Sequence, residues 1–233
     1  MYRITVIILA LAFCLLNMGA ANPAPLTAIQ IFDKMIHYEN DVLTSTPEVT
    51  DFYCKITQTT QRTGITEQEV IEKDYYFMSP LYQLYIFEDK PVGYFDESML
   101  MTQLELNDLT KLRDEAVNGI PCYVIKTQPN EPAFEKYHRI YYVAQDDFRK
   151  IQTVSHHATR QYDELDTKIE YSYMSISGFL LPTQTYAETY DTNENLLATV
   201  TALYTDYAFN VGLTMDWLNT VLEDSSEPIP PLN

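Results

Sequence analysis

Glycine is scarce in this chain: 6 among 233 residues, where average usage would give about 16. A phosphate-cradling glycine-rich loop needs several together, so that class of nucleotide site is excluded. Basic residues are also few, 15 Lys+Arg against 33 Asp+Glu, for a formal net charge of −18. Nucleic-acid surfaces need a basic stripe, and none can be built here. Attraction to anionic lipid surfaces by charge is excluded in the same way. The four histidines, His37, His138, His156 and His157, form no His-x-x-x-His unit, and no Cys-x-x-Cys exists. His156 and His157 are adjacent in a strand-like run and face opposite sides, so they cannot chelate one metal together. A Gly-x-Ser-x-Gly elbow is absent as well; Ser175-Ile176-Ser177-Gly178 reads as a turn. The carboxylate pairs Asp146-Asp147 and Glu164/Asp166 fall in turns, where solvation is the default. No metal, cofactor or catalytic constellation is expected, and the chain reads as non-catalytic.

What is present points to a strand-rich exported protein. Met1-Tyr2-Arg3 precedes a nearly unbroken apolar run from Ile4 to Met18, and Gly19-Ala20-Ala21 supplies small residues for cleavage. Residues 1–21 therefore read as a secretory signal peptide, too short to span a bilayer. Its removal takes away one charge, Arg3, and leaves the remainder still more acidic. Cys14 goes with it, leaving Cys54 and Cys122 in a compartment where a disulfide can persist. Both lie in strand-like runs whose alternation could turn them to a core. One bridge between them and two separate buried thiols are both open.

Hydrophobic residues make up 46% and aromatics 13% of the chain, with 19 Tyr and 10 Phe. That is enough apolar material for a sizeable core, and Tyr, Thr, Ile and Val favour strands. Thr27 with Gln30 forms a capping box, and Leu26, Ile29, Phe32, Met35, Ile36, Val42 and Leu43 recur at helical spacing. A helix over 27–43 follows. Alternation then predicts strands at 51–62, 66–78, 81–88, 92–96 and 98–104, with a turn at Asp89-Lys90-Pro91. A short helix is expected from Asn107 or Asp108 through Ala116. Strands follow at 120–128, 137–144, 148–158, 165–176, 179–190 and 196–208, separated by turn residues, and Thr214 caps a last helix. The expected fold class is mainly β with a few helices (α+β), a curved antiparallel sheet in one domain over residues 22–224. Residues 225–233, with Pro228, Pro230 and Pro231, form a tail.

A long sheet curls because strands twist, and a curled sheet with few helices leaves a concave hollow. Its expected apolar lining is Phe52, Cys54, Ile56, Tyr76, Met78 and Ile86. Tyr75, Tyr82, Tyr85, Tyr141, Tyr142, Tyr171 and Tyr173 are further candidates, with rings inside and hydroxyls at the mouth. The acid excess leads to the expectation that a ligand is held by apolar burial and not by its headgroup charge.

The second half carries a familiar order. Asn118-Gly119-Ile120-Pro121-Cys122-Tyr123-Val124-Ile125 is followed by Arg139-Ile140-Tyr141-Tyr142-Val143 and Phe148-Arg149-Lys150-Ile151. Ile169-Glu170-Tyr171-Ser172-Tyr173, Gly178-Phe179-Leu180-Leu181-Pro182-Thr183 and Tyr204 to Leu213 complete it. This order, with the N-terminal helix running into the strand from Asp51, resembles the outer-membrane lipoprotein-sorting superfamily of periplasmic carriers. It departs from the pattern at 159–167, which lacks the usual Gly. The early Arg that latches the lid in the carriers has no match, Arg62 falling in a turn. The resemblance implies a half-open β-barrel closed by a helical lid, binding lipid or lipoprotein acyl chains without a cofactor. It also implies location in the periplasm and envelope membrane proteins as partners. The competing reading is a sensory or scaffold protein of the envelope with the same fold and a filled core. Cavity volume separates the two.

Overall fold

A computed structural model describes residues 25–45, 49–158 and 164–223. The signal peptide expected at 1–21 and the tail at 225–233 lie outside them. So does part of the 159–167 loop.

Helix α1 (Ala28–Ile36) opens at the expected capping box: the Gln30 amide N–H donates to Thr27 Oγ1, and the Thr27 N–H donates to Gln30 Oε1 at 3.0 Å. The helical period continues to Leu43, but the chain breaks at His37, whose ψ of 6° leaves the helical range, and α2 (Tyr38–Thr44) starts afresh. The break redirects the apolar stripe. Ile31, Phe32 and Met35 then bury in one cluster and Leu43 in another.

The strands are β1 (Asp51–Arg62), β2 (Glu69–Met78), β3 (Tyr82–Phe87), β4 (Lys90–Phe95), β5 (Asn107–Lys111), β6 (Glu115–Val117), β7 (Ile120–Pro129), β8 (His138–Ala144), β9 (Lys150–His157), β10 (Leu165–Ile176), β11 (Phe179–Tyr190) and β12 (Leu196–Phe209). Helix α3 (Glu97–Leu106) joins β4 to β5, and α4 (Met215–Glu223) follows β12. All twelve strands form one antiparallel sheet, in the order β4-β3-β2-β1-β12-β11-β10-β9-β8-β7-β5, with β6 also paired to β7. Two meanders, β1 to β4 and β7 to β12, are joined where the first strand pairs with the last. The ends β4 and β5 do not pair with each other, so the barrel is half open.

Turn chemistry sets the register. Asn118-Gly119 and Ser177-Gly178 have φ of 52° and 80°, and of 52° and 92°. Positive φ at both central residues gives two-residue hairpins whose twist matches the strands. The β3–β4 turn is Glu88-Asp89, also at positive φ. The turn thus lies one residue before the expected Asp89-Lys90-Pro91, and Pro91 falls in the edge strand β4, where no ladder donor is needed.

Residues 98–104 and 107–111 reverse the expectation, helix first and strand second. Asp96 decides it by capping: its Oδ1 accepts from the Met99 N–H at 2.9 Å. Met99, Leu100 and Met101, none of them branched at Cβ, then continue a helix readily.

Strand parity assigns the two faces. Cys54 opposes Tyr75, and Tyr75 opposes Tyr85, so these share the concave face with Phe52, Ile56 and Phe77. Tyr76, Met78, Leu84 and Ile86 point the other way and pack under Trp217, Leu218 and Val221 of α4. A bulge at Asp206 and Tyr207 opposite Cys54, the former at φ 55°, inserts a residue into β12. Ala202 and Tyr204 face inward before it. Tyr207 and Phe209 face inward after it, in positions that an unbroken alternation would have turned outward.

Asp51 fastens the seam between the meanders. It is buried, and its Oδ1 accepts from the Val211 N–H at 2.6 Å while its carbonyl accepts from the Asn210 N–H at 2.9 Å.

Candidate ligand-binding hollow

The concave face is larger than its helices. The nine-residue α1 is about 13 Å long, whereas the eleven strands in line extend roughly 50 Å around the curve. Two regions are filled. Leu43 of α2 packs on Phe52, Cys54, Ile56, Phe77, Leu181 and Ala202. Ile31, Phe32 and Met35 of α1 pack with Leu100 of α3 on Ile125 and Val143. Between them lies a hollow of about 620 Å³.

One wall is apolar: Phe32, Met35, Ile36 and Leu100 come from the helices, and Phe95, Ile169 and Pro182 from the sheet. The floor is not. Tyr75, Tyr85, Tyr141, Tyr171, Tyr173 and Tyr204 line it from the strands, together with Arg139, Lys150, Thr153, Ser155 and Thr185, and Tyr38 and Glu39 enter from α2. The rings pack on one another, Tyr75 and Tyr85 at 4.7 Å and Tyr38 and Tyr173 at 5.7 Å between centroids.

Glu39 is the only carboxylate in this lining. Its Oε2 accepts from the Tyr75 hydroxyl at 2.8 Å and from Gln83 Nε2 at 3.4 Å. Burial raises its pKa above the usual 4.5, against the opposing pull of the Tyr75 hydroxyl and the Lys150 charge. Burial, reinforced by Glu39, also pushes the Tyr75 hydroxyl well above its usual value; Tyr85 and Tyr173 move the same way. The phenols therefore stay neutral and act as hydrogen-bond groups.

None of the six residues expected to line the cavity lines this hollow. Phe52, Cys54 and Ile56 are on the correct face but are sealed under α2. Tyr76, Met78 and Ile86 lie on the convex face, because strand parity separates residues 75 and 77 from 76 and 78. The space left beside Tyr76 and Met78 is about 10 Å³, room for about one water at most. Of the tyrosine candidates, residues 75, 85, 141, 171 and 173 line the hollow, while 76, 82 and 142 do not. Cys54 and Cys122 are both free thiols, buried in separate clusters, so the bridge between them is not formed. Burial raises both thiol pKa values, which leaves them inert.

Glu39, Arg139, Lys150 and Tyr204 were missed from sequence. Arg139 gave a usable signal, since it stands in phase with inward-facing Tyr141; Lys150 is out of phase with Thr153 and comes inward through the register shift opposite Tyr142 and Val143.

Among the described residues no group of three or more His, Cys, Asp or Glu is placed to hold a metal ion. No helix there is long and apolar enough to cross a membrane. No protein-family model and no curated protein sequence matches the chain. Solved structures do. A DUF1329 family protein from Desulfovibrio piger superposes with a TM-score of 0.54 at 14% identity, covering 83% of this chain and 97% of that one. A domain from Vibrio parahaemolyticus, assigned to outer membrane lipoprotein sorting, gives 0.52 at 11% identity, covering 82% of this chain and 98% of that one. The chain shares its fold with these two structures.

Proposed function

We propose, from this shared fold and from the hollow, that the protein is a non-catalytic binding protein of the cell envelope that takes up the acyl part of a lipid or lipoprotein. The observation that carries the reading is the space of about 620 Å³ between helices and sheet. Small-ligand sites run from about 300 to 1,000 Å³. A filled core, as the scaffold reading requires, would close-pack that space.

The lining suits an amphipathic ligand. An acyl chain lies along Phe32, Met35, Ile36, Phe95 and Leu100. The tyrosine rings opposite present apolar faces while their hydroxyls answer polar groups. Each buried methylene contributes about 0.8 kcal/mol, so eight give at most ~6 kcal/mol before ordering costs. That allows the reversible binding a carrier needs. The reading includes export by residues 1–21, a periplasmic location, one domain over residues 22–224, and envelope membrane proteins as donors or acceptors of the ligand.

Two measurements test it. Mass spectrometry of protein purified from its native envelope should find copurifying lipids. Titration with fluorescent fatty acids should tighten from eight to twelve carbons. A protein that carries no lipid and ignores chain length would defeat the reading and favour a scaffold.

A further inference from the structure

The larger hollow adjoins a second chamber of about 190 Å³, and the two share Phe32, Gln103, Arg139, Tyr141 and Ser155. The chain carries 33 acidic residues, about one in seven, so a chance lining of this second chamber would include about two. Among the described residues that line it there is none, while Arg139, His138, His156 and His157 all line it. Its amide and hydroxyl groups, from Gln103, Asn107 and Thr127, add neutral donors.

Arg139 stands at the junction. Its Nε donates to Ser155 Oγ at 2.9 Å and one terminal nitrogen donates to the Tyr141 hydroxyl at 3.3 Å. These contacts fix the plane of the guanidinium without neutralising it. Among the described residues no carboxylate pairs with it, whereas Arg62 pairs with Glu69, and Arg149 with Asp146 and Asp147. A permanently charged planar fork, held by hydroxyls with donors to spare, matches a carboxylate or phosphate. His156 Nδ1 is hydrogen-bonded to Asp166 Oδ1 at 2.8 Å, and Asp166 does not line the chamber.

We infer that the ligand is an anionic amphiphile: its carboxylate or phosphate headgroup binds Arg139 in the smaller chamber, and its acyl chain enters the larger hollow. This rests on the acyl-binding reading above and adds the headgroup class. A bound anionic headgroup departs from the expectation drawn from net charge, because the charge that would meet it is the local one of Arg139.

The test is calorimetric titration of the wild type, Arg139→Gln and Arg139→Lys with dodecanoate, dodecyl phosphate and uncharged monododecanoyl glycerol below their critical micelle concentrations. Acetate and inorganic phosphate serve as chainless anions. Thermal melting of each variant confirms folding. Wild type should bind the two anionic amphiphiles about tenfold or more tighter than the uncharged one, and added salt should narrow the gap. Arg139→Gln should remove that preference, weakening the two anionic amphiphiles at least tenfold more than monododecanoyl glycerol, while Arg139→Lys should retain part of it. Equal binding of charged and uncharged amphiphiles in wild type and Arg139→Gln would overturn the headgroup assignment and leave the acyl reading intact. Binding of acetate or inorganic phosphate as tight as that of the amphiphiles would overturn it in favour of a free-anion site. Failure of every amphiphile to bind would overturn the acyl reading itself.

Discussion

The concave face of the sheet behaves in opposite ways over its two halves. Over β1, β2 and β12, inward positions carry Phe52, Ile56 and Phe77, and the helix above supplies Leu43. The Phe52 ring packs with Phe77 at 5.3 Å and Tyr207 at 5.6 Å between centroids, and both Phe side chains are fully buried. Over β8 to β10, the same alternation brings Arg139, Tyr141, Thr153 and Tyr171 inward to the hollow, which Glu39 of α2 also lines while its carboxylate accepts from Tyr75 of β2. Polar tips that need partners hold side chains apart, so that region stays open. Alternation settles which residues face in. Only the chemistry of both layers settles whether they close.

The largest effect should come from Phe52→Ala. Removing a fully buried ring should cost about 3–5 kcal/mol in urea denaturation. Tyr171→Ala, across the hollow, should cost less than half of that, since its ring already borders open space. Equal losses would break the comparison.

Thr185 and Ala202 face each other at the boundary between the halves, Thr185 lining the hollow and Ala202 buried in the packed cluster. Ala202→Phe should overpack, at about 1–3 kcal/mol. Thr185→Phe should cost under about 1 kcal/mol by the same measurement, and should displace fatty acid. A similar loss at both positions would move the boundary.

Glu39→Gln sharpens the comparison from the electrostatic side. The folded pKa of Glu39 is raised, so the fold holds its proton more tightly than the unfolded chain does. The stability linked to that proton is fully present below about pH 4.5 and is lost as pH rises through the higher folded value. Glu39→Gln should therefore raise the melting temperature at pH 8 and change it little at pH 4. A lower melting temperature at pH 8 would show that the carboxylate stabilises the hollow.

His37→Gln should have the smallest effect. Burial disfavours the His37 cation, but the Asp33 carbonyl and the Glu97 and Asp33 carboxylates prevail, and its pKa is raised above 6.5. The contribution is full below pH 6.5 and lost as pH rises through the folded value. The variant should lose up to about 1 kcal/mol at pH 5.5, given the solvated partners, and nothing at pH 8.5, by chemical denaturation at both. A loss of the same size at pH 8.5 would assign the effect to packing at the α1–α2 break.

Much of this architecture was legible in the residues. The capping box at Thr27 and Gln30, the dipeptides Asn118-Gly119 and Ser177-Gly178, and the period-two runs from Ile120 to Phe209 are local signals, and the elements followed them. What escaped depends on contacts distant in sequence. Tyr76, Met78 and Ile86 look as apolar as Phe52 and Ile56, and nothing local says that α4 covers them from outside. The capping carboxylate of Asp96 outweighed the short alternation at 98–104. The polar floor was hidden because a lone Glu39 on a helix, or a lone Arg139 on a strand, reads as a solvated residue until the opposite layer is known.

The pairing of β1 with β12 has a kinetic consequence. Each meander can zip locally, but Phe52 finds Phe209 only after nearly the whole described chain lies between them. Closing such a loop costs entropy before any contact rewards it, which gives this fold a high contact order and a slow final step. During synthesis β1 emerges early and stays unpaired on one side until β12 follows. For that interval its exposed edge is the segment most open to wrong partners.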